Sequence, residues 1–183
     1  MQSPPSCIII CHSCDQDFYQ LFHTLGYPLK LIKGLPDIVN DLPNVPKDAL
    51  IIFDDLQHLA ADITPYFTKY SHHCKLSIIY LSQNLFLKPN RTITLNSNYI
   101  ILFKSPRDKL QIRTIAQQMA PGNASWIMRA YNNATRDAHS YVLIDYVQNT
   151  HDDMRLRDNI IPTLGYIYVD DTQYDTLDIR SLL

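Results

Sequence analysis

Two adjacent carboxylates, Asp54 and Asp55, follow directly on the apolar run Leu50-Ile51-Ile52-Phe53. An uninterrupted run of this kind suits a strand buried on both faces. A parallel strand hands whatever follows it to the carboxyl edge of its sheet, where α/β proteins bind ligands. Two acids at such an edge can hold a magnesium ion and orient a water molecule. A second apolar run, Ser77-Ile78-Ile79-Tyr80-Leu81, ends in Ser82-Gln83-Asn84 and presents polar side chains in the same manner.

The intervening segment must bring these two strand ends together. Residues 61–73 are long enough for one crossover helix, with Pro65 near its first turn and Ile63, Phe67 and Tyr70 along one face. Strand, helix, strand places Asp54, Asp55 and Gln83 at one edge on neighbouring strands. Upstream, Cys7 to Cys11 predicts a buried strand. Asp15 to Leu25 predicts a helix capped by Asp15, with Phe18, Leu21, Phe22 and Leu25 on one face and Gly26 at its end. Leu29 to Ile32 suits a further short strand, and Leu35 to Leu42 a turn with one or two helical turns.

Downstream, Lys88-Pro89-Asn90-Arg91 reads as a loop and Tyr99 to Lys104 as the next strand. Arg107 to Met119 carries helical spacing in Leu110, Ile112, Ile115 and Met119, and a further helix is expected over 124–134. Ser140 to Asp145 reads as the last core strand, and Tyr166 to Val169 as an edge strand in a polar tail. These elements predict an α/β parallel-sheet core over 1–162 and a tail over 163–183, with no internal repeat or low-complexity tract.

With 183 residues, 46% of them hydrophobic, the chain is sized for one globular domain. A formal charge of −2 excludes a chain-wide electrostatic sleeve for nucleic acid, so any DNA contact must be local. No apolar run approaches the roughly 20 residues that span a bilayer, and Met1 to Ser6 lacks the pattern of a signal peptide. An intracellular protein without a membrane partner is the expectation. The cysteines Cys7, Cys11, Cys14 and Cys74 are too few and too clustered for a disulfide scaffold. Cys11, His12, Cys14, His72, His73 and Cys74 are zinc-ligand types, but the second group lacks the usual spacing, and core or loop cysteines are expected.

The acid strand and the glutamine strand together look like the Walker B and sensor half of a P-loop NTPase. The matches extend along the chain: Ile51-Ile52-Phe53-Asp54-Asp55-Leu56, Ser82-Gln83-Asn84-Leu85-Phe86, Leu102-Phe103-Lys104-Ser105-Pro106-Arg107-Asp108, Met119-Ala120-Pro121-Gly122-Asn123 and Leu156-Arg157-Asp158-Asn159-Ile160. Over roughly Ile32 to Pro162 the chain resembles the packaging ATPases of Polinton-like and adinto-like viral elements, related to the poxvirus-type packaging ATPases and, more distantly, to FtsK and HerA translocases. The resemblance implies a RecA/FtsK-like core with ATP and Mg2+ as cofactors, double-stranded DNA as the substrate, a homo-oligomeric ring, and a nuclear or virus-factory location. It implies that Asp54 holds magnesium and Asp55 polarises the attacking water. It also implies that Gln83, with Asn84 beside it, senses the γ-phosphate, and that Arg91 or Arg107 is an arginine finger acting on a neighbouring subunit. Lys104 is a weaker candidate for that role.

One part of the family pattern is missing. The four glycines, Gly26, Gly34, Gly122 and Gly165, build no G-x-x-x-x-G-K-[ST] loop. The resemblance therefore implies an N-terminally truncated member that binds ATP poorly alone, with two uncovered apolar strand edges where the Walker A strand would lie beside the acid strand. Two further readings stay open at this point. One is a non-catalytic remnant that joins an intact full-length ATPase ring. The other is a phosphoreceiver-like domain, whose chemistry also uses acids and magnesium at a strand end but needs an aspartate where this chain has Gln83.

Overall fold

β-branched and aromatic residues dominate three of the short runs that build the sheet, and such side chains pack well on a pleated surface. In the computed structural model, which describes residues 4–36, 45–86, 88–161 and 164–170, these runs are β1 (Ile8–His12), β3 (Leu50–Asp54) and β4 (Ser77–Tyr80). With β2 (Leu29–Lys33) they form a four-stranded, all-parallel sheet in the order β2-β1-β3-β4. The protein is thus α/β around a parallel sheet. Registers pair Ile9 with Ile51 and His12 with Asp54 on one side of β3, and Ile51 with Ile78 on the other.

Side-chain alternation splits the core into two layers. Ile9, Cys11, Ile51 and Phe53 face Leu56, Ile63, Tyr66 and Phe67 of the crossover, while Ile8, Ile10 and Ile52 face Tyr19 on the opposite side. Each fully buried Ile or Phe contributes roughly 1.5–3 kcal/mol relative to exposure, so the acid strand is anchored from both faces. The crossover runs through α1 (Ala60–Pro65), a π-turn segment Tyr66–Tyr70 and α2 (Ser71–His73). Phe53 meets Tyr66 edge-on, with ring centroids 4.9 Å apart. The predicted face is present, as Ile63 and Phe67 are buried and Tyr70 packs against the same cluster.

Several local expectations change. Asp17–Leu25 is a 3₁₀ helix whose N-cap is Gln16, not Asp15, and it ends at Gly26 in the left-handed conformation (φ 74°) that a residue without Cβ adopts freely. Three residues per turn place Tyr19 and Phe22 on one face, packed in the core, and Phe18 and Leu21 together on another, where both are exposed. Lys88 to Arg91, expected as a loop, opens helix α3 (Lys88–Leu95). The turn predicted over Leu35 to Leu42 falls largely outside the described residues.

β3 has β1 on one edge and β4 on the other, so the uncovered edges expected beside the acid strand are not there. Among the described residues, the strands with an unpaired edge in this sheet are β2 and β4.

The chain divides into two compact units, Met1–Asn96 and Ser97–Leu183. The sequence carries no linker signal at this division, and the tail boundary expected at 162/163 falls on residues outside the described ones. In the second unit β5 (Tyr99–Phe103), β6 (Tyr141–Asp145) and β7 (Leu156–Arg157) form a separate sheet whose paired strands run antiparallel. Ser140 to Asp145 is therefore a buried strand, but not one of the parallel sheet. Helices α4 (Lys109–Met119) and α5 (Ala124–Ala134) supply Ile112, Ile115, Ile127 and Ala130 to this unit's buried residues. The side chain of Asp108 caps α4 by accepting from Gln111 N. Of the predicted tail strand, Ile167 makes an isolated antiparallel bridge to Arg157. No helix among the described residues is long and apolar enough to cross a membrane.

Candidate functional site

In a parallel sheet ordered β2-β1-β3-β4, the chain leaves β1 toward β2 and returns to β3 on the other side. The crevice outside the carboxyl ends of β1 and β3 is the topological switch point at which such sheets bind ligands. Asp54 is the last residue of β3 and Asp55 the first beyond it. Beside that crevice, Asp54, Asp55 and Gln57 from the end of β3 and Leu81, Ser82 and Gln83 from the end of β4 line one open pocket of about 250 Å3. The predicted neighbourhood of the two acids and Gln83 is therefore present.

Asp55 has a left-handed backbone, with φ 53°. Asp tolerates this region better than most residues, yet the conformation still costs free energy and concentrates at functional turns. It turns the chain sharply at the end of β3, so that Asp54 and Asp55 share one pocket wall although adjacent strand residues alternate between faces.

Each carboxylate is held by a hydroxyl from the segment that follows β1. The Tyr19 hydroxyl donates to Asp54 Oδ2 at 2.7 Å, and Ser13 Oγ donates to Asp55 Oδ2 at 2.9 Å. Tyr19 is 2% exposed. Burial first, then its hydrogen bond to Asp54, pushes the Tyr19 phenol far above the ordinary tyrosine range, so it remains a donor at neutral pH. Neither Asp54 nor Asp55 makes an ion pair among the described residues, and the Oδ1 atom of each has no protein partner there. Two adjacent carboxylates with neutral donors and, among the described residues, no ion pair form a hard-oxygen donor set of the kind that magnesium shares with phosphates and water. The residues present thus fit a divalent cation. Among the described residues no group of three or more His, Cys, Asp or Glu side chains converges as a metal centre. Cys11 is buried within β1 and Cys14 is exposed.

The other predicted residues are placed differently. The Asn84 side chain accepts from Phe86 N at 2.9 Å, and Asn84 is not in the pocket lining. Buried Asn90 donates to Ser82 Oγ at 3.0 Å and to the Asn84 carbonyl, which fixes the loop that carries Gln83. Arg91 is exposed on α3 and does not line the pocket. Arg107 and Lys104 belong to the second unit, where Arg107 is exposed and Lys104 Nζ donates to the Arg136 carbonyl at 2.8 Å.

Ser13, Tyr19 and Gln57 carried no signal in the sequence, since nothing in local spacing reveals a contact 35 or 42 residues away. Among the described residues, Gln57 Nε2 is buried without a hydrogen-bond partner, and so is His12 Nδ1 in the strand register opposite Asp54. No family model, curated protein or solved structure matches this chain.

Proposed function

We propose that the chain supplies the cation-holding and γ-phosphate-sensing face of a DNA-packaging ATPase that works as a ring on double-stranded DNA, a member of the viral and Polinton-like family it resembles. The observation that carries this reading is the shared pocket: Asp54 and Asp55 on one strand end, Ser82 and Gln83 on the next. In that role Asp54 and Asp55 hold the cation, Asp55 also orients the attacking water, and Gln83 contacts the terminal phosphate. Arg91 and Arg107, both exposed, remain the candidates for a finger reaching a neighbouring subunit. Bound magnesium would supply charge neutralisation on the phosphate oxygens.

The loop after β1, Ser13 to Gln16, has no glycine and no lysine, so it offers phosphates no grip. The chain therefore hydrolyses ATP at background rate by itself and acts together with a polypeptide that carries a phosphate loop, such as a full-length ATPase of the same family. Phosphate release from MgATP by the purified chain, with Asp54→Ala as the control, tests this. Turnover well above background that Asp54→Ala abolishes would overturn it.

A second reading draws on the strand order. The order β2-β1-β3-β4 is also that of flavodoxin-type sheets, which phosphoreceiver domains share. Against it, the strand end after β4 offers Gln83 in place of an acid. Acetyl phosphate treatment followed by mass spectrometry separates the two, because a receiver gains a phosphoryl group on Asp54 or Asp55 and the proposed ATPase face does not.

A further inference from the structure

Tyr19 and Ser13 each occupy one oxygen of one acid, and the two bonds come from the same short segment after β1. The consequence for ligation is geometric. A carboxylate oxygen has two lone pairs and the hydroxyl occupies one of those on Oδ2, so two-oxygen clamping of a cation competes with the hydrogen bond while ligation through Oδ1 alone leaves it intact. Calcium takes six to eight oxygens and commonly uses both oxygens of an aspartate. Magnesium demands a small octahedron, keeps several waters and accepts single-oxygen carboxylate ligands.

We infer that Tyr19 and Ser13 are positioning residues that tune the cation specificity of this site, biasing Asp54 and Asp55 toward one-oxygen ligation and so favouring Mg2+ over Ca2+. This rests on the reading of Asp54 and Asp55 as cation ligands. The two hydroxyls are placed unequally. Tyr19 is buried and its ring packs on His12 at 5.0 Å and on Phe18 at 4.5 Å, so its hydroxyl is held rigidly against Asp54. Ser13 is partly exposed and its side chain turns more freely. Tyr19 therefore exerts the larger effect.

The test is competition of Mg2+ and Ca2+ against Mn2+, with free Mn2+ read by electron paramagnetic resonance, on the full chain and on Tyr19→Phe, Ser13→Ala and the double variant. Phenylalanine preserves the ring contacts and removes the hydroxyl alone. Loss of such an outer hydrogen bond typically weakens metal binding by about 10–100-fold. The expected result is a fall of that order for Mg2+ in the double variant with a smaller fall or none for Ca2+, moving the Ca2+ to Mg2+ affinity ratio by at least about tenfold. Equal changes for both cations, or no change for either, overturn the inference, because a purely structural role would not separate them. Asp54→Asn distinguishes the two layers of the argument. If wild type binds Mn2+ and Asp54→Asn does not, while the ratio stays constant, only the specificity role falls. If wild type binds no Mn2+, or Asp54→Asn binds it as wild type does, the cation reading falls with it. Should Tyr19→Phe fail to fold, Ser13→Ala on its own must still move the ratio in the same direction.

Discussion

Replacing Tyr19 by phenylalanine removes one oxygen from the layer that ties the segment after β1 to the acid strand. The ring stays, so the packing of Tyr19 against Ile8, Ile10 and Ile52 is preserved and no cavity opens. What is lost is a 2.7 Å hydrogen bond to the Asp54 carboxylate, and hydrogen bonds to charged groups contribute roughly 1.5–3 kcal/mol. With a urea m-value of about 2 kcal/mol per molar, the unfolding midpoint should fall by about 1 M at pH 7, followed by far-ultraviolet circular dichroism.

The pH dependence gives this prediction a sign. The folded-state pKa of Tyr19 lies above its ordinary value of 10.0. Its contribution is thus fully present below pH 10 and is lost as pH rises past 10 toward the folded pKa, because the unfolded chain ionises first. The advantage of wild type over Tyr19→Phe should hold steady from pH 7 to about 9.5, then shrink by up to about 1.4 kcal/mol per pH unit above 10. A midpoint difference under about 0.2 M at pH 7, or one unchanged between pH 9 and 11, would refute the placement of Tyr19 against Asp54.

Three further outcomes follow from the packing. Phe53→Ala, at a fully buried position stacked edge-on against Tyr66, should cost about 3–5 kcal/mol in urea unfolding, against under about 0.5 kcal/mol for Ile79→Thr on the exposed part of β4. Arg157→Ala removes the partner of buried Asp145, whose carboxylate lies 3.1 Å from the guanidinium. It should destabilise by about 3–5 kcal/mol, most of which Asp145→Ala combined with Arg157→Met restores. Gly165→Ala would place a Cβ 2.6 Å from that of Asn159 and against the Asp158 carboxylate that receives Tyr166 N. Faster amide hydrogen exchange at Tyr168, which bonds the Leu156 carbonyl at 2.9 Å, should report the release of this segment.

The parallel strands and their shared edge were legible because continuous apolar runs such as Ile51-Ile52-Phe53 have few alternatives to a doubly buried strand, and a short crossover constrains the next strand to lie beside it. The face of the first helix was not, because helical spacing assumes 3.6 residues per turn and Asp17–Leu25 winds with three. That difference hid Tyr19, the residue that touches Asp54. Helix α3 was masked by Pro89, which a first helical turn tolerates, and by Asn90, whose side chain is spent on Ser82 and Tyr80 and not on ending the helix. β5 concealed its sheet. Tyr99, Ile101 and Phe103 are apolar yet exposed, so the alternation that marks a half-buried antiparallel strand cannot be seen in Tyr-Ile-Ile-Leu-Phe. The left-handed turn at Asp55, which brings two adjacent acids to one pocket, sits on a residue type that adopts this region more readily than most but still only in a small minority of its positions.

The most direct test of the central claim is anomalous diffraction from crystals of the chain soaked in Mn2+. The account predicts one strong peak at the end of β3, within ligating distance of a single oxygen of Asp54 or Asp55, and its loss in Asp54→Asn. A strong peak bound elsewhere, or none at this strand end with the metal in excess, would contradict it.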